Sequence, residues 1–167
     1  MAIELKHAPV SAMLAEDDIE AARRFWRETV GVIEVGYDDR ANVATYRAGQ
    51  GTFFGIYQHA GGSKADHTQL VFEVEDVDGT VQDLRQRGIT FEDYDMPGLK
   101  TQNGIADWGD GNKGAWFKDP GGNIINVVTP LPQLRQLLHE ESVGAFTGSE
   151  AGRPGSPGRS GSHFVGG

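Results

Sequence analysis

"SAMLAEDDIEAARRFWRETVGV", residues 11–32, and "QLVFEVEDVDGTVQDLRQRGI", residues 69–89, follow one layout. In each, an alternating apolar strand runs into an Asp and then into an amphipathic helix. Asp76 repeats Asp18 58 residues on, and helix-period apolar residues follow both: Ala22, Phe25 and Trp26 in the first copy, Val81 and Leu84 in the second. Each Asp is placed to cap a helix N-terminus, and Gly31 and Gly88 are placed to close the two helices.

The segments that follow repeat as well. "TYRAGQGTFFGIYQ", residues 45–58, matches "WFKDPGGNIINVVT", residues 116–129, with Arg47 on Lys118 and Gly51 on Gly122. Both read as strand, glycine-containing turn and strand. Each copy is therefore a strand, a helix and three further strands, which makes the fold class α+β with two tandem βαβββ modules forming a cup-shaped mixed sheet. Module one spans about 9–60 and module two about 67–130. The second copy is longer, and the extra residues fall in "MPGLKTQNGIADWGDGNKG", residues 96–114, a glycine-rich stretch expected as a loop folded over the concave side of the sheet.

Beyond Pro130 the composition changes. Leu134, Leu137 and Leu138 predict an amphipathic tail helix over 131–143, and the Gly/Ser/Pro-rich residues 144–167 are expected as a disordered extension. Of 167 residues 38% are hydrophobic, enough for one sizeable core. Cysteine is absent, which excludes disulfides, thiolate-bound metals and thiol nucleophiles. The net charge is −9, and because the arginines of 131–167 are matched there by glutamates, the whole excess lies in 1–130. Such a body repels phosphate backbones and anionic lipid and suits a cationic ligand, so neither nucleic acid nor membrane is expected as a partner. No transmembrane or leader segment is read, and the expected compartment is cytoplasmic.

This pattern resembles the vicinal oxygen chelate superfamily, which includes glyoxalase I, the extradiol dioxygenases, methylmalonyl-CoA epimerase, the fosfomycin-resistance thiol transferases and the bleomycin-resistance proteins. The resemblance runs over roughly residues 9–130, and "KDPGGN" is its most specific element, close to the family's Asp-Pro-x-Gly-Asn turn. It implies a homodimer and a concave site. Metal-binding members place ligands near the start of the first strand and in the last strand of each module, positions held here by Ser11, Gly55, Gln69 and Asn126. None is a carboxylate or an imidazole, so neither metal nor other cofactor is expected there. His7, His59 and His67 share strand parity with the vacated positions, which leaves a shifted metal site open.

What remains is a cup with hydrogen-bonding amides on Gln69 and Asn126. Ser11, Met13, Phe53, Gly55, Tyr57, Val71 and Val128 share the inward parity, and Trp108 and Trp116 can supply flat walls. Ile125 and Val127 are expected on the opposite, helix-packed face, with Asn126 bonded to water or to a neighbouring side chain. Glu73 shares the inward parity and is the candidate general base, unless it is a solvated strand-end residue. Three functions stay open: a metal-independent protein that sequesters a small organic molecule, as bleomycin-resistance proteins do; a glyoxalase-like lyase, isomerase or dioxygenase with a displaced or absent metal; and a dimeric scaffold.

Overall fold

The computed structural model describes residues 5–130; the expected tail helix over 131–143 and the extension over 144–167 lie outside the described residues, as does the side chain of His7. Module one runs β1 (Ala12–Glu16), α1 (Ile19–Arg24) continued by a π-helical segment (Phe25–Val30), β2 (Ile33–Asp38), β3 (Val43–Arg47) and β4 (Phe53–Gln58). Module two runs β5 (Thr68–Glu73), α2 (Val77–Gln86), β6 (Asp95–Met96), β7 (Leu99–Gln102), β8 (Ile105–Asp107), β9 (Lys113–Lys118) and β10 (Ile124–Val128). The helix caps follow the repeat: Asp18 accepts from the Ala21 N–H and Asp76 from the Gly79 N–H, which satisfies one orphan donor of each first turn.

The strands form two sheets, ordered β1-β4-β3-β2 and β5-β10-β9-β8-β7-β6. Within each, the first strand of the module lies parallel to its last, β1 to β4 and β5 to β10, and the remaining pairs are antiparallel. The α+β fold of two tandem modules stands, with its mixed sheet present as two mixed sheets and the second module extended to five strands after its helix.

The expected concave loop over 96–114 is instead mostly strand. β6, β7 and β8 extend the second sheet beyond β9, and the turn between β7 and β8 is Asn103-Gly104, both at positive φ. That is the geometry a two-residue hairpin requires, and Asn-Gly enters it with little steric cost. The end of this stretch returns to the face turned away from the helices, where the Trp108 ring sits above Gly114 so closely that a Cβ there would come within 3.0 Å of it.

One core serves both modules. Leu14, Trp26, Tyr46, Phe54 and Ile56 from the first share a buried cluster with Val77, Val81, Phe117, Ile125 and Val127 from the second. Rings meet across the boundary: Trp26 and Phe72 at 6.3 Å, Phe54 and Phe72 at 6.1 Å, Phe25 and Phe117 at 6.2 Å. The modules therefore pair within one chain. Truncating a fully buried Trp or Phe of this kind typically costs about 3–5 kcal/mol, so neither module keeps its core without the other.

Candidate functional site

Strand register fixes what lies on the sheet faces turned away from the helices. Across sheet one, Met13 on β1 is level with Gly55 on β4, Thr45 on β3 and Gly36 on β2, and Phe53 is level with Arg47 and Ile33. Across sheet two, Val71 on β5 is level with Asn126 on β10 and Trp116 on β9, and Glu73 is level with Val128 and Gly114. Their strand neighbours Leu14, Phe54, Ile56, Ile125 and Val127 are in the core, whereas Met13, Phe53 and Val71 are 45–50% exposed. In "NIINVV", Ile125 and Val127 thus turn to the helices and Asn126 to the other side, as the alternation requires.

Trp116 is buried even though it lies on the open face, because Tyr94, Leu99, Ala106 and Ile124 pack around it. Trp108 meets it edge-on at 6.0 Å and Tyr94 edge-on at 5.6 Å, and its Nε1 donates to Thr68 Oγ1 at 3.0 Å. Burial first, and then Glu92, push the Tyr94 hydroxyl above its ordinary range, so it stays a neutral phenol. The result is an aromatic corner with the Trp108 ring half-exposed at its rim.

Two amides flank the corner. Asn126 is 6% exposed, and its Nδ2 donates to the Ala115 carbonyl at 3.0 Å and the Val127 carbonyl at 3.4 Å. Main chain, rather than water or a side chain, satisfies this donor, and what Asn126 has left for a ligand is the Oδ1 acceptor. Gln69 is the converse: its Oε1 accepts from Ser63 Oγ at 3.1 Å and from the Ile124 N–H at 3.2 Å, which leaves the Nε2 donors.

These engagements bear on the family's metal position. Ser11 lies on exposed chain before β1, and Met13 Sδ stands 2.5 Å from where any Cβ of residue 55 would be. Gln69 Oε1 already has two donors, and no carboxylate or imidazole belongs to the set. The residues present do not fit a divalent cation, which needs anionic or strongly basic donors. Of the histidines, His59 is exposed beside Tyr57 and His67 is exposed beside Asp66, 3.6 Å away. No group of three or more metal-ligating side chains occurs among the described residues.

Glu73 ends β5 in the exposed position, the solvated alternative of the sequence reading. Tyr57 and Val128 are half-buried. A groove of about 460 Å³ opens on the helix side, lined by Val30, Phe72, Val74, Leu84, Phe117 and Val127. It lies apart from the sheet faces turned away from the helices, and its acids are engaged: Asp76 caps α2 and Asp83 pairs with Arg87 at 2.7 Å.

Sequence reasoning missed the buried carboxyls. Glu16 and Asp119 are 0% and 5% exposed, and Asn123, also buried, bridges them. Its Nδ2 lies 2.8 Å and 3.0 Å from the Asp119 oxygens, 3.3 Å from Glu16 Oε1 and 2.9 Å from the Ala15 carbonyl. Asp119 Oδ1 also accepts from the Asn123 N–H at 2.8 Å, which makes "DPGGN" a self-closed turn. Burial, and then the Asp119 carboxylate, push Glu16 up from 4.5 to about 9; burial raises Asp119 too. Parity held a signal for this, since Glu16 falls with Ala12 and Leu14 on the helix-packed side of β1, where a charge is out of place.

Two modules of a strand, a helix and further strands, packed around one core, define the class. The chain belongs to the Glyoxalase/Bleomycin resistance protein/Dioxygenase superfamily, whose profile matches residues 8–127. No curated protein matches it by sequence. Among solved structures it is similar to a lactoylglutathione lyase from Agrobacterium tumefaciens, at 18% identity and TM-score 0.55 over 77% of this chain and 96% of that one. A genomically encoded fosfomycin resistance protein from Listeria monocytogenes aligns at 11% identity and TM-score 0.58, over 77% and 97%. A glyoxalase/bleomycin resistance protein from Catenulispora acidiphila aligns at 21% and 0.51, over 73% and 97%. At these identities the likeness shows the fold alone. Among the described residues no helix is long and apolar enough to cross a membrane.

Proposed function

We propose that the protein binds a small organic molecule on its concave face, without a divalent metal, and sequesters it in the manner the name bleomycin resistance protein implies. The observation that carries this reading is the aromatic corner of Trp108, Trp116 and Tyr94 beside the Gln69 donors and the Asn126 acceptor. A half-exposed indole offers a stacking surface, and two amides with opposite free functions orient a planar ligand carrying both an acceptor and a donor. The net charge of −9 favours a cationic one. A homodimer is part of the proposal: the edge strand β2 exposes Ile33 and Val35, apolar surface that a second copy can cover.

Titration of tryptophan fluorescence with metal-free bleomycin and with small aromatic cations, alongside elemental analysis of the purified protein, tests this. Saturable quenching that is lost in Trp108→Ala, with no stoichiometric metal, is the expected result. A stoichiometric divalent ion with turnover of an α-oxo thiohemiacetal or a catechol overturns it in favour of a metal-dependent enzyme. Sedimentation at the monomer mass of 18.0 kDa overturns the dimer.

A further inference from the structure

The junction between the modules is held by groups that the concave face does not use. The end of β1 meets the turn 119–123, where Gly121 approaches so closely that a Cβ would strike Glu16 Oε2 and come within 2.5 Å of the Ala15 carbonyl. The linker closes the other side, with the His59 N–H donating to the Glu16 carbonyl at 2.8 Å and the Ser63 N–H to the Gly121 carbonyl at 2.7 Å. Two carboxyl groups sealed in this way cannot both carry a charge. Glu16 Oε2 is buried and makes no hydrogen bond, although the Trp26 indole and the Gly121 N–H lie toward the carboxyl, and a proton on Glu16 would make it a donor to Asp119.

We propose that Glu16 and Asp119 hold one proton between them, and that this proton fastens module one to module two, so that its loss loosens the junction. The surrounding groups leave the pair to itself. From the segment between β1 and α1, Asp17 and Asp18 are exposed and engaged by the Gly61 and Ala21 N–H groups. From the π-helical segment comes the neutral Trp26 indole, and from the turn the Asn123 amide and the Gly121 N–H, which favour the ionised forms. From β9, Lys118 turns to Glu92 at 3.4 Å, and from the linker the His59 side chain is exposed. Of the groups acting most strongly on Glu16, Asp119 alone is charged. Because β1 carries Met13 and the turn runs directly into β10 and Asn126, loosening this contact uncouples the two halves of the concave face.

Carbon-13 NMR of the side-chain carboxyls in the full chain tests the proposal, together with amide hydrogen exchange across residues 15–17, 59–63 and 119–123. One glutamate carboxyl carbon, absent from Glu16→Gln, is expected to titrate above pH 7. Over the same range protection at the junction is expected to fall by about tenfold beyond the intrinsic pH dependence of exchange, while Glu16→Gln keeps its protection. A Glu16 carbon that titrates in the ordinary carboxylate range overturns the shared proton, a result that needs no variant to fold. Junction protection in Glu16→Gln that falls in step with the parent overturns the fastening role.

Discussion

Replacing Glu16 by Gln exchanges a group that must hold a proton for one of the same shape with permanent donors. In the unfolded chain Glu16 titrates near 4.5, and in the folded one burial, and then Asp119, push it well above that range, toward about 9. Between those values the folded state keeps a proton that the unfolded state has released, so unfolding free energy falls as pH rises; below 4.5 and above 9 the slope vanishes. At about 1.4 kcal/mol per pH unit for each proton released on unfolding, the stability lost relative to acid grows steadily across this window, to the order of a few kcal/mol. The raised Asp119 acts with the same sign. Because Gln does not titrate, Glu16→Gln should match the parent near pH 4.5, exceed it by on the order of a few kcal/mol at pH 7, and gain further as pH rises. Urea denaturation at these three pH values, read by circular dichroism, measures the difference. Two curves that run parallel across the range would show that Glu16 reaches water in the folded protein, and the argument from burial would fail.

Gly121→Ala drives a Cβ into the Ala15 carbonyl, a main-chain atom that cannot retract alone, and should lower stability by about 2 kcal/mol in thermal denaturation; an unchanged melting temperature would place the turn elsewhere. Arg23→Ala removes a two-point contact with Glu34, at 2.7 Å and 3.0 Å. Arg23 holds Glu34 below its usual range, so the stability this confers is present above about pH 4.5 and lost as pH falls through the folded value; the variant should lose about 1–2 kcal/mol at pH 7 and less in acid. Asn126→Leu should weaken a concave-face ligand by about 5–30-fold in calorimetric titration, through loss of the Oδ1 acceptor, and leave the metal content unchanged.

The repeat was legible because each of its signals is local. Asp18 and Asp76 cap within three residues, and the alternation about Asn126 sorts Ile125 and Val127 to the core without knowledge of any partner. The strands β6 to β8 were missed because glycine content outweighed the Asn103-Gly104 hairpin signal, which was equally local. Engagement of the amides is another matter. Gln69 is tied by Ile124, 55 residues away, and Asn123 reaches Glu16 across 107 residues, so only the assembled sheets reveal which atoms remain free. Glu73 drew notice because it lies on the inward parity, yet its place at the end of β5 exposes it, while the burial that changes a carboxyl fell to Glu16 on the opposite parity.

The pairing of the two modules within one chain bears on how the protein is made. All the strands of sheet one are complete at Gln58, but the turn that receives Ala15 and Glu16 lies at 119–123, about 60 residues later. At 5–20 residues per second a nascent chain spends roughly 3–12 seconds with module one finished and its partner still unwritten. During that interval Trp26 and Phe54 lack the covering ring of Phe72 for part of the time, and Glu16 faces water and is ionised. Docking of the second module at neutral pH therefore takes up a proton from solvent, and the final assembly step should run faster in a mildly acidic medium than in a basic one.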